Sequence, residues 1–493
     1  MRRAGSDRRA LIDRPGIYDP GVAGPIRVRS RTDITLELIH DVAWRGAGLE
    51  IAPEALALMD RCHESFEALV AERVAEDPQA LVYGVTSAPG DGAFAALSDQ
   101  GRSGRPGRLW TAMSFGDPLP DRLVRAIVVA RLANFLDGQA AVRGRLAQAV
   151  AEMLEAPALP TVPAQSNGGS GEILALGTLF YSLSTRLATT AKERMALING
   201  SPCAAALLAD IALAGRRRLE LAEAVFAMVA DVCGAPDEHY APELAELWGD
   251  QHEAAALASL RGHLEGSDRV RQTHQAAVSL RILPRVLGAA RRAQAAAEQA
   301  AAVSLRSVTD NPVYLAPDED RPLGAVYSNG GYHNAQAAPA IDALAFAHAD
   351  LCQLAQRLTD HLFLSPVTAR LVGYDEWSVK PLHMTENGWA EEARAIATPT
   401  LLSLGGFGQN DVPVLNFLAW RKATAIAECL DAALAVLAAL ASQALHVAGR
   451  QAPPNLRALV DEIRGVFPIV EQPRALGEDC SRLAAAFTAQ AFR

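Results

Sequence analysis

Apolar residues recur with a helical period over most of the chain. Three stretches, 269–304, 335–363 and 414–448, each run about 30 residues with little glycine or proline. Periodic patterns longer than about 25 residues are typical of coiled coils and long helix bundles. Alanine on several faces of these stretches permits neighbouring helices to approach closely. The pattern predicts a mainly α fold with a central bundle of long helices.

The pattern differs before about residue 200. There, shorter helical stretches alternate with loops rich in glycine and proline, among them VTSAPGDGAF, DQGRSGRPG and EAPALPTVPAQSNGGSG. We therefore predict three parts: a polar arm over 1–27, a loop-rich region over 28–200, and the long-helix bundle with the C-terminal helices over 201–493.

Composition narrows the classes of partner. The 493 residues are 50% hydrophobic and 5% aromatic, with a formal net charge of −10. This favours a large helical core and argues against nucleic acid or an anionic membrane as the main partner. Six cysteines without a CxxC pair or metal-spaced histidines indicate reduced thiols and no metal site. The N-terminus lacks the apolar segment of a secretory signal, and the apolar run 432–441 predicts a buried helix, so we expect a cytoplasmic protein.

The sequence SNGGSGEIL places three glycines directly before an apolar helical stretch. Ser170 in such a place is a favoured N-cap, and glycine adopts positive φ without steric cost. A phosphate-binding P-loop would need Lys followed by Ser or Thr where Glu172 and Ile173 stand, so no nucleotide site is expected. By itself the stretch is most simply a structural loop.

Other segments carry polar groups that a plain helix bundle does not need. Tyr83 begins the loop VYGVTSAPGDG, where a phenol can act as an acid or base or can be an interfacial aromatic. Asn199 ends a helix in ALINGSP, and Asn-Gly is most often a C-cap. Arg281 lies in the apolar stretch QAAVSLRILPRVLG, where its partner is either a substrate carboxylate or a structural ion pair.

Two further regions interrupt the bundle pattern. The segments SVTDNPVY and SNGGYHNA surround Asn311 and Tyr332, and a longer run from SVKPLHMTEN to GGFGQNDVPV contains Lys380 and Asn410. Loops on a rigid scaffold often carry function. Each segment is a weak signal alone, but their order and spacing form a pattern.

In that order the segments resemble the aromatic amino-acid lyase family of histidine, phenylalanine and tyrosine ammonia-lyases. Tyr83-Gly84-Val85-Thr86 is similar to the family's Tyr-Gly-x-Asn/Thr-Thr-Gly-Phe-Gly loop, and GGSGEILALG stands where the family has Gly-Ala-Ser-Gly-Asp. KERMALINGS, QAAVSLRILPRVLG, SVTDNP and GQNDVPVLNFLAWRKA are similar to later family motifs. The resemblance covers about residues 35 to 450 and implies a fumarase/aspartase-type bundle.

The resemblance gives the glycine-rich loop a chemical role. In the family an Ala-Ser-Gly triad cyclises with loss of two waters into a methylidene-imidazolone. This electrophile activates an α-amino acid so that ammonia leaves Cα while a base removes a β-proton. Here the triad is Gly169-Ser170-Gly171, and the side chain at its first position takes no part in the ring.

The resemblance also implies roles for individual residues. The expected β-proton base is Tyr83, the carboxylate anchor is Arg281, and the remaining expected substrate or ring contacts are Trp110, Thr111, Asn199, Gln275, Tyr332, Lys380 and Asn410. Of these, Trp110-Thr111 occupies the substrate-selecting position, and Lys380 falls where the residue differs between histidine-specific and phenylalanine-specific members. A homotetramer with active sites shared between subunits is implied.

The chain departs from the family pattern at several of these places. Glu172 replaces Asp, Ala276 replaces Asp, Val278 replaces Tyr, and Asn410 replaces Glu. Three hypotheses stay open: an ammonia-lyase or related aminomutase acting on an aromatic or similar α-amino acid, a ring-free lyase of the ergothionase kind that expels trimethylamine, and a non-catalytic paralogue. The retained Tyr83 argues against the paralogue, as do the other retained polar residues.

Overall fold

The computed structural model describes residues 24–98, 109–371, 378–402, 405–406 and 408–492. Most of the polar arm expected over 1–27 lies outside this range. Within it the protein is mainly α-helical, which confirms the fold class. The predicted three-part division stays a prediction. By their contacts, the described residues separate into two compact units, each built from several segments of the chain.

The helices of eight or more residues in the described chain are α1 (Pro53–Glu76), α2 (Asp121–Leu136), α3 (Gly144–Ala151), α4 (Ile173–Arg186), α5 (Ala191–Ile198), α6 (Pro202–Val232), α7 (Gln251–Leu264), α8 (Leu283–Arg306), α9 (Ala337–Leu364), α10 (Leu382–Ile396), α11 (Asn416–Val447), α12 (Arg457–Val466) and α13 (Leu476–Ala491). Shorter helical turns include Leu36–Ile39, Glu243–Trp248 and Val278–Arg281. Strands β1 (Ile26–Val28) and β2 (Leu49–Ile51) pair in parallel, and β3 (Val313–Leu315) and β4 (Ala325–Tyr327) pair antiparallel.

One compact unit comprises the described residues within 210–300, 338–401 and 418–493, and it contains most of the long helices. Ion pairs join them: Arg218 of α6 binds Asp431 of α11 through two 2.9 Å hydrogen bonds, and Arg291 of α8 reaches Glu223 of α6 at 2.6 Å. Gly215 lets α8 approach α6, because a Cβ there would lie 2.3 Å from Gln294. The predicted long-helix bundle is therefore present.

Two of the three predicted long helices match α9 and α11 within a few residues. The third prediction, 269–304, is wrong at its start, because α8 begins only at Leu283. Pro284, near its start, fits a first helical turn and not a helix interior. Before it, the segment is held by side chains instead: Arg271 forms two hydrogen bonds with Glu238, at 3.0 and 2.9 Å.

Two segments, Ala191–Val232 and Asn416–Val447, are apolar and long enough to cross a membrane by length and composition alone. Their most apolar windows are 100% and 83% buried inside the protein, as in core helices. The buried helix expected over 432–441 is part of α11.

The other compact unit comprises the described residues within 1–209, 301–337 and 402–417. One of its cores packs α1 against neighbouring segments through seven buried residues, namely Cys62, Phe66, Leu69, Val82, Val85, Ala141 and Tyr314. Two of them, Val82 and Val85, flank Tyr83 and Gly84 in the sequence. The loop that carries Tyr83 is therefore anchored in a core on both sides.

Candidate active site

The Tyr83 loop has a fixed backbone. Gly84 has φ +67°, and a Cβ there would lie 2.5 Å from the Met195 side chain, so glycine meets both a conformational and a space requirement. The Thr86 hydroxyl donates to the Ala80 carbonyl at 2.7 Å and accepts from the Val82 N–H at 2.7 Å. These contacts hold the loop tightly around Tyr83.

The phenol of Tyr83 is half-buried and points back along its own loop. Its oxygen accepts a 3.0 Å hydrogen bond from the Gly90 N–H. Because this bond uses the oxygen as acceptor, the hydroxyl hydrogen remains available for another partner. A phenol held in this way can exchange a proton with a bound molecule.

The triad loop is strained and held by backbone contacts. Ser166 has φ +60°, an uncommon conformation for a residue with a side chain, of the kind that clusters at functional sites. The Asn167 side chain donates to the Pro163 carbonyl at 2.8 Å. The Gly169 N–H donates to the Asn167 carbonyl at 3.1 Å, and the Gly169 carbonyl accepts from the Val414 N–H at 2.7 Å.

The three triad residues lie in a compact turn. A Cβ on Gly169 would stand 3.3 Å from the Gly171 carbonyl oxygen, so the turn closes on itself. The Ser170 hydroxyl donates to the Asn410 side-chain oxygen at 2.5 Å. Gly171 is buried, and a Cβ there would lie 3.5 Å from the Tyr332 ring. The structure thus brings Asn410 and Tyr332 to the triad.

Asp91 joins the Tyr83 loop to the segment that carries Asn410. Its carboxylate accepts the Gln409 N–H at 3.0 Å. Gly408 has φ +56°, and a Cβ there would lie 2.3 Å from the same carboxylate. Sequence reasoning missed Asp91, although it stands in the SAPGDG segment that departs from the family's loop.

Tyr332 lies near two other ionisable groups of the site. Burial raises its pKa, and the charges of Tyr83 and Asp411 raise it further. The phenol of Tyr332 is therefore protonated at neutral pH and is able to donate a hydrogen bond. Four sequence-predicted elements, namely Tyr83, the triad, Tyr332 and Asn410, thus come together in one unit.

Glu172, directly after the triad, fixes the loop to a helix N-terminus. It is 1% exposed and accepts the backbone N–H groups of Cys203 and Ala204, at 2.5 and 2.7 Å, at the start of α6. Burial raises its pKa to about 7, against the opposing effect of these two hydrogen bonds. Glutamate here is a buried helix cap, a role that the sequence did not reveal.

A buried charged network lies beside Asn199. Arg131 donates to the Ala196 and Asn199 carbonyls, each at 2.6 Å, and the ammonium of Lys192 binds Asp310 at 2.5 Å. The Asn199 side-chain oxygen accepts the N–H of Gly200, the next residue, at 2.9 Å. Asn199 therefore ends α5 as the Asn-Gly sequence indicated, and its substrate role stays a prediction.

The expected substrate-selecting pair lies along α4, the helix that follows the triad. Thr111 is buried against Gly177, where a Cβ would lie 2.2 Å from the Thr111 hydroxyl oxygen. Among described residues that hydroxyl has no hydrogen-bond partner. Trp110 is 63% exposed. The described contacts do not connect the pair to the triad.

Gln275, Arg281 and Lys380 belong to the unit with the long helices. Arg281 donates through Nε to the Ala276 carbonyl at 2.9 Å, and the amide of Gln275, oriented with its oxygen inward, accepts from Nη1 at 2.6 Å. Within the described chain no acidic side chain pairs with Arg281. Lys380 is exposed beside the start of α10.

The described residues contain no group of three or more His, Cys, Asp or Glu side chains arranged to hold a metal ion.

Comparisons with known proteins identify the relatives of this chain. The sequence matches the family "Aromatic amino acid lyase" over residues 34–186 and 183–465. It is 28% identical to histidine ammonia-lyase of Symbiobacterium thermophilum, over 92% of this chain and 94% of that protein. Tyrosine aminomutase from Streptomyces globisporus superimposes with a TM-score of 0.83 at 21% identity, covering 95% of this chain and 97% of that one.

Ergothionase from Treponema denticola, an ergothioneine-degrading enzyme, has the same fold with a TM-score of 0.80 at 16% identity, covering 94% of this chain and 99% of that one. The family match spans most of the chain, including the segments that carry Tyr83, the triad and Arg281. The chain belongs to the aromatic amino acid lyase family and is a carbon–nitrogen lyase.

Proposed function

We propose that the chain catalyses an α,β-elimination that breaks the Cα–nitrogen bond of an amino-acid-like substrate carrying a carboxylate. The observation that carries this proposal is the continuous set of contacts from the Tyr83 loop through Asp91 and Gln409 to Asn410 and Ser170. It holds a proton-accepting phenol and the triad in one loop cluster. Tyr83 is the base that removes the β-proton.

Arg281 is the proposed anchor for the substrate carboxylate. Its guanidinium contacts a backbone carbonyl and the amide of Gln275, and these neutral acceptors leave its charge uncompensated among the described residues. A planar fork of donors binds a carboxylate in two places, which orients Cα for elimination. Lys380 is a proposed second cationic contact. Assembly into a cytoplasmic homotetramer with shared active sites is proposed from the family resemblance.

Two leaving groups are consistent with this reaction. Ammonia leaving an aromatic or similar α-amino acid is the reaction that the family implies, and it depends on the methylidene-imidazolone. The backbone of Gly169-Ser170-Gly171 fits that group, because the turn is compact and the Gly169 carbonyl is polarised by the Val414 N–H. The Asn410 side chain, which accepts the Ser170 hydroxyl, does not fit formation of the methylidene-imidazolone, because an amide exchanges no proton at neutral pH.

The second leaving group is a tertiary amine such as trimethylamine, released from a quaternary α-ammonium substrate. Such an amine departs neutral and needs no electrophile to activate it. The hydrogen bond from Ser170 to Asn410 favours this candidate, since it keeps the serine hydroxyl occupied by a group without acid–base chemistry.

A paired substrate panel tests the function and separates the leaving groups. Aromatic α-amino acids and their N,N,N-trimethyl betaines are incubated with the purified chain. Mass spectrometry then follows the unsaturated acid together with ammonia or trimethylamine. We expect release from one of the two series. If neither series yields an unsaturated acid under any condition, the proposed elimination is wrong.

Tyr83→Phe tests the base on whichever substrate reacts. We expect turnover to fall by about 10²–10⁴-fold while affinity stays within about tenfold, since only the proton-transfer group is removed. Tyr327→Phe is the matched control, because Tyr327 is 49% exposed on β4 and belongs to none of the loops that meet at the triad. A Tyr83→Phe enzyme that keeps more than about a tenth of its turnover would show that another group is the base.

A further inference from the structure

We infer that Asn410 is a positioning residue that keeps Ser170 as an unmodified serine, so that a hydroxyl and not a methylidene-imidazolone faces the substrate in this protein. The inference rests on the proposed function, whose reaction takes place at this loop. It attributes the absence of the methylidene-imidazolone, the proposed difference from the ammonia-lyase pattern, to the side chain of Asn410.

The inference starts from one short hydrogen bond. The Ser170 hydroxyl donates to the Asn410 side-chain oxygen at 2.5 Å, and among described residues this is the one side-chain hydrogen bond of Ser170. The segment around Asn410 is held at both ends. Asp91 accepts the N–H of Gln409 at 3.0 Å, and the Val414 N–H binds the Gly169 carbonyl at 2.7 Å.

Formation of the ring requires two losses of water. In one, the Cα–H and Cβ–Oγ bonds of Ser170 break: a base takes the Cα proton, the hydroxyl receives a proton and leaves as water, and a Cα=Cβ double bond remains. In the other, the Gly171 nitrogen attacks the Gly169 carbonyl carbon, and that carbonyl oxygen leaves as water with the protons of the Gly171 and Ser170 N–H groups. No oxidant or reductant takes part, and the product is lighter by two waters.

The backbone is arranged for the second of these steps. The Gly169 carbonyl accepts a hydrogen bond from the Val414 N–H, which polarises its carbon toward attack. A Cβ on Gly169 would already lie 3.3 Å from the Gly171 carbonyl oxygen, so the turn is closed. Glycine at both ends leaves no side chain to obstruct the approach.

The side chains do not support the first step. The hydroxyl of Ser170 has to receive a proton as it leaves, yet it donates its own hydrogen to the Asn410 carbonyl oxygen. A carboxamide has no proton to give and no basic site at neutral pH, whereas a glutamic acid has one oxygen that accepts and one that donates.

Two variants of equal side-chain length make the test specific. Asn410→Glu introduces a carboxyl group, and Asn410→Gln introduces an amide of the same length. The 410 side chain is exposed, so both substitutions are compatible with folding. Intact-mass spectrometry of the full chain, with peptide mapping of the triad, reports the modification without any activity measurement.

We expect the wild-type chain and Asn410→Gln to have the unmodified mass, and Asn410→Glu to lose two waters at residues 169–171. A thermal melt confirms that each variant is folded, and Asn410→Asp serves as a second carboxyl variant if Asn410→Glu is not. A wild-type chain already lighter by two waters overturns the inference, as does loss of water in Asn410→Gln, or unmodified mass in both folded carboxyl variants.

These outcomes distinguish a failure of the inference about Asn410 from a failure of the proposed function. A wild-type chain of unmodified mass that releases trimethylamine from a betaine supports both. A lighter wild-type chain that releases ammonia overturns only the inference about Asn410. An unmodified chain that releases no amine from either series supports the inference and contradicts the proposed elimination.

Discussion

Glu386 is expected to make the protein lose stability as the pH rises through the neutral range. It lies on α10, is 0% exposed, and among described residues neither of its carboxyl oxygens has a well-formed hydrogen bond. Burial raises its pKa to about 8; the nearby Thr359 hydroxyl opposes this shift, and the charge of Asp360 adds to it. The folded protein therefore holds this carboxyl in its neutral form at pH 7.

The sign and size of the effect follow from proton linkage. Between the ordinary value of 4.5 and about 8, the folded chain binds one proton that the unfolded chain releases. The stability that this proton confers is fully present below pH 4.5 and is lost as pH rises through about 8. The slope is about 1.4 kcal/mol per pH unit, or about 3 kcal/mol between about pH 5.5 and about pH 7.5. Spread over a chain of 493 residues, this shifts the melting temperature by about 3 °C.

Glu386→Gln removes the titration and keeps the shape of the side chain. Melting curves of the wild type and the variant are compared across this pH range. We expect the variant's melting temperature, relative to wild type, to rise by about 3 °C from the acidic to the neutral end. Glu392→Gln, an exposed glutamate on the same helix, is the control and should run parallel to wild type. If Glu386→Gln also runs parallel, Glu386 is not held neutral and the reasoning fails.

Three further results are expected. Arg281→Lys should lower kcat/KM by a factor that corresponds to about 2–3 kcal/mol of transition-state stabilisation, because lysine lacks the two-pronged fork. The loss should come mainly from a higher KM, with little change in melting temperature. A lowered melting temperature with unchanged KM would indicate a structural role. Gly84→Ala should destabilise the fold by about 1 kcal/mol or more, because Gly84 has φ +67° and a Cβ there would clash with the Met195 side chain. Gly465→Ala on α12 is the control: open space surrounds Gly465, so this variant should be neutral or stabilising in the same thermal melt. Light scattering should give a tetramer mass, and a monomer mass at micromolar concentration would contradict the shared active sites.

Local patterns in the sequence predicted the long helices and the central site loops. Helical periodicity located α9 and α11, because these helices bury a continuous apolar face and contain few glycines or prolines. Motif order located Tyr83, the triad and Asn410, which the fold brings together. The predicted start of α8 was wrong because the apolar periodicity continues through 269–277, where side-chain ion pairs replace helical hydrogen bonds.

The parts of the site that sequence did not predict depend on contacts between distant segments. From the sequence, Glu172 is expected to be an acidic residue in the first turn of the helix that follows the triad. In the structure its carboxylate instead caps the start of α6, about 30 residues later. Asp91 appears in the sequence as part of a turn, and its partner is more than 300 residues away. Which donor a carboxylate meets is decided by tertiary packing, and no local period encodes it.

Asp91 and Asn410 together show how this chain differs chemically from the family pattern. Where the family pattern that the sequence resembles has a glutamate, this chain has the amide of Asn410. The additional carboxylate of Asp91 stands on the neighbouring loop. That carboxylate is used to hold the Gln409 N–H, and so it fixes the position of Asn410 without touching Ser170. The negative charge is kept near the site, but it is separated from the atom whose departure needs a proton. This arrangement underlies the inference that the triad keeps its hydroxyl, and a triad of that form would suit a substrate whose amine leaves without electrophilic help.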